Sequence, residues 1–215
     1  EGLKKNLYRY TAYDDLTTVS LVSAISPYLI SADNLRIANT VVHSALAPVN
    51  GMPKTTIGSK PVDGGYFILS EEERTELLAK EPEAEEFVRP YVGATEWLTG
   101  SLRYILYLED IPPAQLRRLT NIKAIVQKVR LWRECRIPNK VGNKTRQNSD
   151  ALADTPTKYH VTRVPNSSFL IIPEVTSERR KYVPIGWLEP PTIPSNLLKI
   201  VLNASLSDFA LLTSS

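Results

Sequence analysis

From Ile122 to Trp132 the apolar residues recur at intervals of three and four. Ile122, Ile125, Val126, Val129 and Trp132 form one stripe, which predicts the longest helix of the chain, from about Asn121 into the region of Glu134. At 100° per residue Arg133 and Arg136 continue that stripe. A core does not accept two unpaired guanidinium groups. Either the helix end leaves the core there, its cations favoured by the helix dipole, or it faces an anionic partner. Upstream, Ser70 with Glu73 makes a capping box that opens a helix from Glu71 to Leu78. Pro82 suits the first turn of a second helix ending before Pro90, and Pro112-Pro113 starts a short third one.

Elsewhere the pattern is that of strands. Leu7 to Tyr13 alternates. Arg103 to Leu108, Tyr159 to Val164, Phe169 to Ile172 and Leu197 to Leu202 are short apolar or β-prone runs bounded by turn residues. Tyr182 to Trp187 is another, but Pro184 in its middle confines it to a sheet edge or a bulge. Ile25 to Leu29 reads as a bend. Residues 32 to 68 are rich in Pro, Gly, Asn and Ser, with Val41-Val42 as a short strand and Asp63-Gly64-Gly65 as a turn. Helices in the middle third, mostly antiparallel strands in the last third and an extended N-terminal segment together predict an α+β fold. Residues 1 to about 60 carry too little regular pattern for a core of their own.

Composition narrows the picture. At 42% hydrophobic residues the 215-residue chain can bury a real core. The net charge is only +3, but its distribution is uneven. Residues 121–148 hold eight cations against Glu134 alone, a local +7, while residues 71–86 hold eight glutamates against Arg74 and Lys80. A polyanion would be oriented by that contrast. Cys135 is the only cysteine, so no disulfide framework exists within the chain. No signal peptide or long apolar span is present, and a reduced, cytoplasmic setting is the simplest reading. The chain reads as a piece of a longer protein.

Between the runs Phe169–Ile172 and Tyr182–Trp187 lie Ser177, Arg179, Arg180 and Lys181. Arg forks and hydroxyl donors of this kind can grip phosphate oxygens; equally, the turn can be a solvated hairpin tip. Asn196, entering the strand at Leu197, presents an amide able to read adenine edges, or is simply a turn residue. Arg103, Arg136, Lys144 and Arg146 are further candidate DNA contacts, as is Arg133, each also readable as an ordinary solvated charge. No phosphate loop, zinc spacing or nucleophile elbow occurs. His43 and His160 lie far apart, and Asp14-Asp15 and Glu71-Glu72-Glu73 read as a solvated turn and a helix N-terminus rather than as metal ligands. No catalytic or metal site is therefore expected.

Six segments taken together resemble the MmeI-like family of bacterial restriction–modification enzymes. They are Ile25–Leu29, Gly58–Gly65, Ala84–Gly93, Arg103–Leu108, Leu152–Thr157 and Ile172–Trp187, with Ser177-Glu178-Arg179-Arg180-Lys181-Tyr182-Val183-Pro184-Ile185-Gly186 the closest. Such enzymes join an endonuclease, an adenine-N6 DNA methyltransferase and a target recognition domain in one polypeptide. The resemblance implies that residues 1–60 are the end of the methyltransferase domain with its connecting segment, and that residues 61–215 are the target recognition domain. It implies double-stranded DNA as partner, alongside the upstream methyltransferase and nuclease domains. It places S-adenosylmethionine and Mg in the parent enzyme and no cofactor in this chain, because the family's glycine-containing cofactor loop and Asn-Pro-Pro-aromatic tetrapeptide do not occur here. Tyr107 stands where the family usually has tryptophan. Two alternatives stay open: an unrelated nucleic-acid or protein interaction module, and an enzyme whose site is assembled from Asp14, His43 and His160.

Overall fold

Two units divide the chain, Glu1–Val49 and Asn50–Ser215. The computed structural model describes residues 4–12, 15–25, 31, 53–142, 150–177 and 179–213. In the first unit β1 (Lys5–Ala12) pairs antiparallel with β2 (Asp15–Val22), Tyr8 facing Val19 across the ladder. The register shifts between Arg9 and Tyr10 and again before Ala12. An isolated bridge joins Ile25 to Ser31. The expected strand at Val41-Val42 and most of the bend at Ile25 to Leu29 lie outside the described residues.

The second unit is built on two four-stranded sheets. One runs in the order β3 (Thr55–Ile57), β10 (Leu198–Leu202), β7 (Phe169–Pro173), β8 (Gly186–Leu188), every pair antiparallel. The other runs β4 (Ile68–Leu69), β6 (Tyr104–Leu106), β5 (Val88–Val92), β9 (Ile193–Pro194), with β5 and β9 parallel. Fully buried Phe67, Ile105, Leu106, Leu108, Ile122 and Val129 fill the core between the second sheet and the helices. Phe169, Ile171, Leu198 and Ile200 form a second cluster beneath β7 and β10. The fold is α+β, as the pattern predicts.

The helices lie close to where the spacing places them. α1 (Glu71–Lys80) opens on the complete capping box of Ser70 and Glu73, and Pro82–Phe87 forms a single 3-10 stretch. α2 (Ala94–Thr99), α3 (Pro113–Arg118) and α4 (Thr120–Arg133) follow, and α5 (Leu206–Thr213) lies near the end of the chain. Neither α2 nor α5 is anticipated by the sequence reading. α5 nevertheless carries its own signal: the Ser205 N–H donates to Asp208 Oδ2 at 2.7 Å and the Asp208 N–H to Ser205 Oγ at 3.2 Å, a reciprocal cap at the same spacing as that of α1.

One expected strand is corrected and one is shortened. Residues 159–164 make only an isolated bridge, Val161 with Lys60. Tyr159 turns inward instead, its hydroxyl donating to the Leu106 carbonyl at 2.7 Å and its ring 5.9 Å from that of Tyr107. Thr162 and the Tyr159 N–H are both held by Glu109. These side-chain partners replace a ladder. In the run from Tyr182 to Trp187 pairing starts only at Gly186, since Pro184 has no N–H to donate, and β8 is an edge strand.

α4 has Leu119 at its cap position, which offers no side-chain acceptor. The carboxylate of Glu81 supplies it from outside. It accepts the Asn121 N–H at 2.6 Å, the Thr120 hydroxyl at 2.9 Å and the Ile122 N–H at 3.3 Å. Burial pushes this carboxyl up, but the bonds from Asn121, Thr120 and Ile122 outweigh it, and the group sits below its ordinary 4.5. A depressed carboxyl stabilises the fold above its unfolded value and loses that contribution as pH falls through the folded one. Glu81→Ala is therefore expected to cost about 1–2 kcal/mol at pH 7. In urea titrations the gap between the two proteins should hold steady above about pH 5 and close progressively below it. A gap independent of pH would show that the charge is not what caps the helix.

Candidate nucleic-acid interface

The loop between β7 and β8 is fastened on both limbs and open at its tip. On the first limb the Glu174 N–H donates to the Leu197 carbonyl at 3.0 Å, and the Glu174 carboxylate pairs with Lys199 at 2.5 Å. On the second limb the Trp97 Nε1 donates to the Pro184 carbonyl at 2.7 Å. The same indole ring lies against Gly186, where an added Cβ would sit 2.2 Å from it. No side chain fits at that position. At the tip the Arg180 N–H donates to the Ser177 carbonyl at 3.0 Å and the Arg179 N–H to Ser177 Oγ at 3.3 Å, so Ser177 shapes the turn. Arg179, Arg180 and Lys181 are all exposed. Among the described residues no carboxylate pairs with any of the three. The Lys181 ammonium lies 5.2 Å from the centroid of the Tyr182 ring.

Asn196 occupies the turn between β9 and β10, half-buried rather than exposed. It borders a cleft of about 280 Å³ together with Lys60, Asp63, Gly64, Tyr91 and Trp132. The turn is clamped: the Ser195 N–H donates to Val92 O at 2.8 Å, the Ser59 N–H to Pro194 O at 2.7 Å, and the Gly58 N–H to Leu198 O at 3.0 Å. A Cβ on Gly58 would lie 2.2 Å from the Ser195 carbonyl oxygen, which explains glycine at the head of the segment Gly58–Gly65. Lys60 beside Asn196 is a polar group that reading the sequence does not single out. Its only signal there is membership of that segment.

Most of the remaining cations have internal employment. Arg103 pairs with Glu96 at 2.8 Å and lies 4.9 Å from the ring centroid of Tyr91. Burial pushes the Tyr91 hydroxyl up despite that neighbouring guanidinium. Arg136 is exposed and pairs with Glu134 at 3.2 Å; the same glutamate takes Arg130 at 3.0 Å. Lys140 bonds to the Ile68 carbonyl and to Glu73, each at 2.6 Å. From outside the tract Glu73 compensates Lys140 and Asp63 faces Arg133, while Lys123 and Lys128 stay exposed. Lys144 and Arg146 lie outside the described residues, as do Asp14 and His43. His160 is exposed, and no three His, Cys, Asp or Glu side chains gather as metal ligands among the described residues.

Arg133 requires a correction. It continues the apolar stripe of α4 into the interior and is fully buried, so it cannot offer its guanidinium to an outside partner. All five of its N–H donors are satisfied by carbonyls. Nε donates to Val62 O at 2.9 Å, Nη1 to Leu152 O at 2.8 Å and Thr155 O at 2.9 Å, and Nη2 to Pro61 O at 3.0 Å and Lys158 O at 2.8 Å. Buried Asp63 adds a compensating negative charge, its own carboxyl pushed up by burial against the N–H groups of Phe67 and Gly65 and the field of Arg133. Arg136 parts from Arg133 because the chain turns at Cys135, whose φ is +58°. The Cys135 N–H reaches Trp132 O at 3.0 Å and the Arg136 N–H reaches Leu131 O at 2.9 Å. This left-handed stop directs Arg136 away from the helix stripe.

Comparison with known proteins agrees with the resemblance seen in the sequence. DNA methyltransferase A of Bacillus subtilis (strain 168) is 29% identical over 204 residues, a match that takes in 95% of this chain and 22% of that protein. The structure of the Type IIL restriction–modification enzyme MmeI in complex with DNA superposes with a TM-score of 0.81 at 26% identity, covering 98% of this chain and 26% of that one. The chain thus spans about a quarter of the length of these relatives. The model of the MmeI target recognition domain matches residues 36–215. This chain belongs to the family of MmeI target recognition domains.

Proposed function

We propose that the chain reads a short asymmetric site on duplex DNA for a restriction–modification enzyme, and that the enzyme's adenine-N6 methyltransferase and nuclease are other parts of the same polypeptide. The observation that carries this reading is the β7–β8 tip: three exposed cations without a carboxylate partner among the described residues, on limbs locked to the body, in a chain of the MmeI target recognition family. Such a tip grips phosphate and sets the register of the duplex. Asn196, held at a clamped turn beside Lys60, is assigned the reading of a base edge. Residues preceding the body, within 1–60, are assigned to the end of the methyltransferase domain and its connection. S-adenosylmethionine and Mg are assigned to the parts of the enzyme outside this chain. No helix among the described residues is long and apolar enough to cross a membrane, and the proposed setting is the bacterial cytoplasm, where the DNA is.

The roles separate experimentally. On a panel of duplexes differing by single base pairs, Arg179→Ala is expected to weaken binding to every member alike and to lower the salt slope by about one. Asn196→Ala is expected to relax preference at one position by about 1–3 kcal/mol and to leave the slope unchanged. A changed base preference in Arg179→Ala with none in Asn196→Ala would reverse the assignment.

A further inference from the structure

The tip of the β7–β8 loop carries apolar side chains as well as cations. Val175 is 73% exposed, Tyr182 58% and Val183 48%. Tyr182 and Val183 are neighbours in sequence, both largely exposed and next to the three cations, and large exposed apolar side chains set together mark a contact surface. The charge says what the partner is. With Arg179, Arg180 and Lys181 lacking carboxylate partners among the described residues, it is a polyanion. The position says how the contact is made. Tyr182 lies between the cations and the Trp97-anchored segment Pro184–Gly186, so its backbone is steadied two residues away while its ring projects. The Lys181 ammonium lies 5.2 Å from the ring centroid, and the side chain is more than half exposed.

An enzyme that modifies adenine in a duplex extrudes that base and leaves a gap in the stack. Proteins that deform DNA commonly place an apolar or aromatic side chain in the stack while flanking cations hold the backbone. We propose that Tyr182 is the residue that enters or caps an opened base stack, with Val183 beside it and Arg179, Arg180 and Lys181 on the adjoining phosphates. The inference rests on the reading of the chain as a DNA target recognition domain.

A duplex with one abasic position presents such a gap permanently, whatever site the enzyme recognises. The 215-residue chain is titrated with an abasic duplex and with its intact counterpart, 2-aminopurine standing next to the gap. The wild-type chain is expected to bind the abasic duplex about tenfold more tightly and to change the 2-aminopurine emission. Tyr182→Phe should keep both effects and Tyr182→Ala should lose both, with the salt slope unchanged in each. Arg179→Ala should weaken both duplexes alike and lower the slope by about one. Equal binding of the two duplexes by the wild-type chain, or a preference that survives Tyr182→Ala, would overturn the role of Tyr182 while leaving the DNA-binding reading in place. Failure of the wild-type chain to bind either duplex at low salt would overturn that reading, and this inference with it.

Discussion

Arg133→Ala is expected to destabilise the second unit by about 3–5 kcal/mol, the largest effect of any single replacement proposed for this protein. The side chain is fully buried, and its five donors meet the carbonyls of Pro61, Val62, Leu152, Thr155 and Lys158. Removal takes the donor from the carbonyls of Pro61, Val62 and Lys158, leaves those of Leu152 and Thr155 with one backbone donor each, and leaves an uncompensated Asp63 in the same region. The guanidinium also ties together three stretches of chain that share no ladder: residues 61–62 at the head of the body, residues 152–158 after the basic loop, and the end of α4. Arg133→Lys should recover only part of the loss, because an ammonium has three donors and no planar fork. Urea unfolding followed by tryptophan fluorescence measures both variants. A loss under about 1 kcal/mol for the alanine variant would contradict the structural role and reopen Arg133 as a surface group.

The second large effect is on DNA. Replacing Arg179, Arg180 and Lys181 together by alanine is expected to lower the slope of log K against log salt by about 2.7, since each neutralised phosphate contributes about 0.9. Between 50 and 200 mM salt that slope is worth about a 40-fold difference, so the gap between the wild-type chain and the variant should narrow by that factor across the range. Stability should not change, because the three side chains are exposed and have no carboxylate partners among the described residues. Fluorescence anisotropy with a labelled duplex at several salt concentrations reads the slope. A slope unmoved by the triple replacement would place the phosphate grip elsewhere.

Local signals account for what the sequence discloses. The stripe from Ile122 to Trp132, the Ser70–Glu73 box and the apolar run at Phe169 each act within a turn or a few residues, and each element forms there. The misses share a cause: the decisive partner is distant in sequence. Tyr159 abandons a strand for contacts with Leu106 and Tyr107, more than fifty residues away. Glu81 caps a helix that begins 39 residues later. For Arg133, the rule that a core rejects unpaired charge holds. The carbonyls that pair it lie up to 72 residues away and follow no periodic pattern. The cations of residues 121–148 look like one basic surface in one dimension, yet once folded Arg133 is buried, Arg130 and Arg136 share Glu134, and Lys140 takes Glu73 from fifty or more residues upstream. The β7–β8 tip was legible as a basic turn between two strands. Its anchoring by Trp97 was not, since that contact spans 87 residues.

The central claim is that this chain discriminates among duplex DNA sequences. Affinity selection from a pool of random duplexes at low salt, with the 215-residue chain immobilised, tests it most directly. The predicted result is enrichment of one short asymmetric motif over successive rounds, its information reduced at one position when Asn196→Ala replaces the wild-type chain. A pool that is retained by the chain but recovered with no enriched motif would contradict it, leaving a phosphate-binding surface without sequence readout.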